Sequence, residues 1–148
     1  MQKDWLIKQL VSFVPTDTLL YLPRDEVVEK TICAVNYLLG TVYVLSDGID
    51  VSKHNLQQGQ KIEQYLLGLS ADEVVFVYQT GQELHSVLLA IMVLERQLDM
   101  QKAFELAFYE ELKQQEKWGK VEEIITRQKS VLLRLEQLDR LYDKRSVS

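Results

Sequence analysis

The sequence has little of several residue types on which whole classes of protein depend. Its one cysteine, Cys33, excludes a disulfide scaffold and a multi-cysteine metal site, and two histidines leave little for a histidine-rich site. Two prolines and six glycines exclude collagen-like and low-complexity chains. No apolar run approaches the roughly 20 residues that span a bilayer, since the longest covers residues 87–94. We therefore predict a globular protein without membrane insertion, metal or cofactor.

Basic residues are fewer than acidic ones, 17 against 22. The net charge is −5 at pH 7 and the pI is about 5.1, so nucleic-acid binding through a basic surface is not expected. The charge is uneven: residues 70–123 hold 11 acidic and 5 basic residues, whereas residues 124–148 hold 3 acidic and 6 basic ones. Two interpretations are open. Either these are solvated helix faces, or an acidic surface serves a basic partner while the basic tail folds back on part of it.

The N-terminus lacks the usual targeting patterns. It carries one base, Lys3, and one acid, Asp4, rather than the basic region of a signal peptide or the arginine-rich pattern of a transit peptide. We expect a reducing compartment, or a targeting segment trimmed from this chain. The length fits one domain, so we predict a single helical domain over 1–148, with the last helix and a basic tail in 121–148.

Capping signals divide most of the chain into helices. Both prolines precede residue 24, so nothing later forbids a helix. Ser70 and Glu73 form a capping box at the start of a long helix that we expect to reach Gln97. Further helices are predicted over residues 5–13, 25–40, 55–67, 99–118 and from about 121 onward, with Asp25 and Asp99 as N-caps and Gly40 and Gly119 as helix ends. The fold class is therefore mainly α: about six helices around a long central one, and at most one short β element, the β-prone run Thr41–Leu45.

Three small or polar residues in these helices have structural interpretations. Gly81 interrupts the apolar seam of the central helix, which indicates the close approach of another helix. His85 is interpreted as a satisfied histidine at the edge of the core, because no second acid or metal ligand is spaced to meet it. Cys33 is interpreted as a small packed hydrophobe rather than a nucleophile.

Glu111 is the unusual residue of the predicted helix 99–118. On a helical wheel it falls inside an apolar arc, which is formed by Phe104, Phe108, Leu112 and Trp118. A carboxylate there is costly unless paired. It could pair with Arg127 or Arg134, contact a partner, or act as a catalytic acid with His85. Catalysis requires those two side chains within hydrogen-bond reach; no enzyme motif is visible, so we predict a protein that is not an enzyme.

The segment around Glu111 resembles a known family signature. Residues 109–122, YEELKQQEKWGKVE, are similar to the motif of the mitochondrial and alphaproteobacterial ATP synthase assembly chaperone, which holds the free alpha subunit of the catalytic head. The matching positions are Glu110, Glu111, Gln114, Trp118, Gly119 and Glu122. Residues 17–21, DTLLY, are similar to a second family element through Asp17 and Tyr21, and residues 84–99 are similar to its central helix.

The resemblance implies a function and a site. The chain corresponds to the helical C-terminal domain of the family, without its N-terminal β-rich domain. It implies a monomeric, cofactor-free chaperone of the mitochondrial matrix or alphaproteobacterial cytoplasm. This chaperone would shield the alpha subunit until the beta subunit pairs with it. Glu111 would contact the client, with Glu110, Gln114, Trp118 and Gly119 shaping the site. In two places the family pattern is missing: Leu22 stands where an arginine is usual, and residues 28–43 lack a Trp-bearing segment with Asp-Pro.

Two alternatives come from the residues themselves. Trp118 and Gly119 could simply fix the turn between two helices. The stripe from Ile124 to Tyr142 repeats at 4-3-4-3-4 spacing, which is typical of core packing but also of a coiled-coil seam. The second possibility would make the chain a generic helical adaptor that dimerises or docks a partner helix.

Overall fold

Local capping decides where most of the helices begin and end. The computed structural model describes residues 2–23, 25–43, 55–119 and 121–147, with side chains for residues 3–23, 25–43, 58–119 and 121–142. Within these ranges the regular structure is helical. The α-helices are α1 (Gln2–Phe13), α2 (Glu26–Leu39), α3 (Asn55–Leu67), α4 (Ala71–Leu84), α5 (Val87–Leu94), α6 (Met100–Ala107), α7 (Tyr109–Trp118) and α8 (Glu122–Val147).

The mainly α class is confirmed. Two short 3-10 helices, Val14–Thr16 and Thr18–Tyr21, connect α1 to the segment before α2. No strand occurs in the described ranges: Thr41 to Tyr43 are irregular, and the rest of the β-prone run lies outside them. None of the helices seen there is long and apolar enough to cross a membrane.

The predicted helix caps are confirmed. The side chain of Asp25 accepts a hydrogen bond from the Val28 amide at the start of α2, and Gly40 ends that helix with a φ of 72°. Ser70 and Glu73 make both hydrogen bonds of a capping box. Asp99 caps α6 by accepting from the Lys102 amide.

The predicted central helix from Ser70 to Gln97 is wrong as one element. It is two helices, α4 and α5, separated by His85 and Ser86. His85 has a φ of 54°, in the left-handed region, and the Ser86 side chain caps α5 by accepting from the Leu89 amide at 3.0 Å. This break, with a second one at Phe108, raises the helix count above the expected six.

α5 packs back against α4 at Gly81, where an alanine Cβ would still be at ordinary van der Waals distance. A Cβ atom at Gly81 would lie 3.6 Å from both the Ser86 carbonyl oxygen and the Val87 Cα atom. The predicted close approach is therefore confirmed, and the approaching helix is α5. Every residue of α5 is buried, so the eight-residue helix forms the centre of the core, with α4 and α6 packed against it.

α8 covers this core with the apolar stripe noted in the sequence. Gln128, Val131 and Leu135 are buried on its inner side, and α8 packs against α4 and α6. The stripe therefore contacts the same chain, so it is not available as a free seam.

The expectation for Cys33 is wrong: this residue is exposed on α2 rather than packed.

Candidate functional site

α7 carries the family-like motif, and the structure separates it from α6. The predicted helix 99–118 is wrong as one element, because Phe108 lies between the two helices with φ −106° and ψ 24°. Its ring still packs on Phe104, with ring centroids 4.8 Å apart. Because the helix turns here, a wheel drawn through residues 99–118 misplaces the side chains beyond Phe108.

Glu111 lies in the first turn of α7 and pairs with α8. Its carboxylate accepts a hydrogen bond from the Arg127 guanidinium, and the Glu111 side chain is 28% exposed. Arg134, the other base considered for it, instead makes two hydrogen bonds to Glu83, at 2.7 and 3.1 Å. The pairing expected of a carboxylate in an apolar setting is therefore present, and its partner is Arg127.

A cavity of about 370 Å³ adjoins this ion pair. It is lined by His85, Ala107, Phe108, Glu110, Glu111 and Arg127. The cavity brings Glu110 and Glu111 together with His85, which is exposed rather than at the core edge. No hydrogen bond joins His85 to Glu111 in the described part of the chain, so the contact that the catalytic interpretation requires is not made.

Trp118 ends α7 as an exposed aromatic residue. Its side chain is 77% exposed, which corrects the expected place of Trp118 in the apolar arc. The Lys117 ammonium lies 5.3 Å from the centroid of the Trp118 ring. Gly119 follows with a φ of 90°, a conformation that favours glycine, and ends the helix as predicted. Gln114 is exposed on the same helix.

Contacts with α2 and α8 hold α7 in place, since none of its own residues is buried. The Tyr109 hydroxyl donates to the Asp25 carboxylate at 2.6 Å. This bond is the main reason that the pKa of Asp25 is below its usual value and that of Tyr109 is above it. Gln115 donates to Gln128 of α8 at 3.0 Å. Sequence reasoning missed Tyr109, whose only signal was its place at the start of the motif.

A second, more open cavity of about 510 Å³ lies along the other side of α7. Tyr109, Leu112 and Gln115 are among its lining residues, together with Glu105, Lys113 and Glu116. α7 is thus bordered by a concave surface on each side and ends in an exposed aromatic residue. Among the described residues, no group of three or more His, Cys, Asp or Glu side chains is placed to hold a metal ion.

Asp17 lies below this surface, at the break between α4 and α5. Its carboxylate is 1% exposed and accepts from the Leu19 amide at 3.0 Å, the Ser86 hydroxyl at 2.5 Å and the Leu88 amide at 3.0 Å. Burial raises the pKa of Asp17 to about 6, although these hydrogen bonds favour the charged form. Tyr21, the other residue of that element, donates to the Pro15 carbonyl at 2.9 Å.

The Asp17 network positions one wall of the cavity beside Glu111. The Thr18 amide donates to the His85 carbonyl at 3.2 Å, so both Thr18 and Asp17 bind the two-residue break. His85, which lines the cavity, is held at its backbone by a segment distant in sequence. Asp17 is thus buried within the fold, whereas Tyr21, at 64% exposed, and the α7 residues lie at the surface.

Comparison with known proteins yields a structural match. No family model matches the sequence, and no curated protein matches it. The fold is similar to the crystal structure of Atp12 from Paracoccus denitrificans, with a TM-score of 0.75 and 19% sequence identity. The similarity covers 96% of this chain and 65% of that one, so the chain spans about two thirds of the Atp12 structure. At this identity the match shows a shared fold: the chain folds like part of Atp12.

Proposed function

We propose that this chain is an assembly chaperone that shields the alpha subunit of the F-type ATP synthase until the alpha subunit pairs with the beta subunit. The observation that carries the proposal is the agreement of two independent features. The α7 motif resembles the assembly-chaperone family, and the fold, compared without reference to that motif, is similar to Atp12, an ATP synthase assembly chaperone. The proposal covers a helical domain corresponding to the C-terminal part of that family.

The exposed end of α7 supports a binding role. Large aromatic side chains dominate the energetics of protein interfaces, and Trp118 leaves 77% of its surface in solvent. Val121, just beyond Gly119, is 53% exposed. The carboxylate of Glu110 and the amide of Gln114 lie on the same helix, and both residues are exposed. This arrangement resembles an apolar anchor with a polar rim.

The physical task would be protection of an interface. A subunit separated from its partner exposes an apolar patch and unpaired polar groups, and such surfaces aggregate. A helix with an aromatic anchor and charged neighbours can cover that patch reversibly. Neither a nucleotide nor a metal is required for this task, and we infer that the chain acts as a monomer. We propose the mitochondrial matrix or an alphaproteobacterial cytoplasm as its location, in line with the family resemblance.

The test is suppression of aggregation. Purified alpha subunit is diluted from denaturant with and without this chain, and light scattering is followed. We expect the wild-type chain to reduce scattering and Glu111→Ala and Trp118→Ala to reduce it less. Tyr37→Ala is the matched control, because Tyr37 is an aromatic residue 93% exposed on α2 rather than on α7.

Two outcomes would contradict the proposal. If the folded wild-type chain leaves the scattering unchanged, this domain does not protect the alpha subunit. If Tyr37→Ala impairs protection as much as Trp118→Ala, then protection does not arise at α7. The adaptor alternative has less support, because its stripe is already packed against the core through Val131 and Leu135.

A further inference from the structure

We propose that Arg127 is an internal competitor: it occupies Glu111 in the free protein, and a basic side chain of the partner displaces it. The inference rests on the proposed function for the identity of the partner. It adds the chemistry that Glu111 recognises, a guanidinium group, and a contact within the chain that limits this recognition.

The ion pair is placed so that it can exchange. The Arg127 side chain is 60% exposed and that of Glu111 is 28% exposed. Water solvates both groups of such a pair, so the attraction between them is weak. An incoming guanidinium therefore needs only a modest advantage to replace the one that is already there.

Arg127 can leave without disturbing the core. In α8, the first buried residue is Gln128, and the residues of that helix before it are exposed or half-buried. The Gln128 side chain is held by Gln115 of α7 at 3.0 Å, whereas Arg127 lines the cavity with a side chain that is 60% exposed. A rotamer change of Arg127 therefore uncovers Glu111 while α7 and α8 stay in contact.

The lining of the cavity favours a basic occupant. Two carboxylates, Glu110 and Glu111, and one permanently charged base, Arg127, line it, and Glu110 makes no ion pair with any residue of the described ranges. Replacing Arg127 by a basic side chain keeps one acid paired, whereas an acidic side chain would add repulsion. Ala107 and Phe108 provide an apolar wall for the methylene stem of an arginine, whose planar fork matches a carboxylate.

A second ion pair on α8 provides a matched control. Arg134 and Glu83 have side chains that are 51% and 25% exposed, which are nearly the same exposures as those of Arg127 and Glu111. Arg134 is not among the residues that line the cavity. Arg134→Ala therefore removes an equivalent surface contact and leaves the proposed competition untouched.

The direct test uses Nα-acetyl-arginine amide as the probe. Its binding to the full chain is followed by NMR shifts of the backbone amides around Glu111, after circular dichroism has verified that each variant is folded. We expect Arg127→Ala to bind the probe about three- to fivefold more tightly than wild type, because the competing group is gone. Arg134→Ala should bind the probe with the same affinity as wild type. The double variant Arg127→Ala/Glu111→Gln should not show the higher affinity of Arg127→Ala.

The outcomes separate this inference from the proposed function. If Arg127→Ala binds the probe no more tightly than wild type, or Arg134→Ala gains as much, then Arg127 does not compete. Binding of the alpha subunit is measured with the same variants. If the probe shows the gain while no variant binds the alpha subunit, the proposed function fails and the competition stands. If wild type and Arg127→Ala bind the alpha subunit equally, displacement by that partner is ruled out.

Discussion

Replacing Asp17 by alanine should destabilise the protein more than any change on α7, because its buried carboxylate accepts hydrogen bonds from three donors. The Leu19 amide, the Ser86 hydroxyl and the Leu88 amide all donate to it. A buried donor that loses its acceptor costs about 1–3 kcal/mol. Taking the lower end for each donor, we expect Asp17→Ala to lower the free energy of unfolding by about 3 kcal/mol at pH 7.

The same residue makes a prediction about pH. Burial raises the pKa of Asp17 from 3.8 to about 6 in the folded state, so between these values the native protein binds more protons than the unfolded chain. Falling pH therefore stabilises the wild type through this group, whereas the alanine variant gains nothing. At about 1.4 kcal/mol per pKa unit, the difference in unfolding free energy between wild type and Asp17→Ala should widen by about 2 kcal/mol as the pH falls from 7 to 4.5.

Urea unfolding at pH 7, 5.5 and 4.5, followed by far-UV circular dichroism, measures both effects. Asp99→Ala is the control for the loss of a helix cap alone, since Asp99 caps α6 through a single exposed bond, and it should cost about 1 kcal/mol. If Asp17→Ala lowers the free energy of unfolding at pH 7 by less than about 0.5 kcal/mol, the three hydrogen bonds to Asp17 do not have the stabilising effect expected of them. If the difference in unfolding free energy between wild type and Asp17→Ala narrows on acidification, the pKa of Asp17 is not raised by folding.

Three further predictions concern packing and α7. Gly81→Ala should be tolerated because its Cβ meets only ordinary contacts at 3.6 Å, whereas Gly81→Val should lower the melting temperature in a thermal scan by crowding α5. Tyr109→Phe should raise the pKa of Asp25 in an NMR titration, since the bond from Tyr109 is the largest cause of its depression. Tyr109→Phe should lower the free energy of unfolding by about 1 kcal/mol at pH values above the pKa of Asp25, and by less at pH values below it. Leu135→Ala should cost about 2–5 kcal/mol in urea unfolding because the side chain is fully buried, whereas Leu133→Ala, at a position 57% exposed, should stay within about 0.5 kcal/mol.

The candidate site was only partly predictable for a geometric reason. Glu111 stood out because a carboxylate within an apolar pattern needs a partner, and Arg127 was one of two bases within reach along the chain. Which base it meets depends on how α7 and α8 lie against each other, and the other base is engaged by Glu83. The cavity beside Glu111 includes His85 from a distant helix end, and no spacing in the sequence brings these two residues together.

The sequence by itself determined the features that depend on neighbours within a few residues. The capping box of Ser70, the caps at Asp25 and Asp99 and the stop at Gly119 are set by local hydrogen bonds and by backbone conformations available to glycine. The tertiary structure alone decided that the central helix divides after Leu84. The apolar periodicity runs through that point, and the break is stabilised by a carboxylate 69 residues from Ser86. Local patterns carry no information about a bond of that separation, which forms only when the chain packs around it.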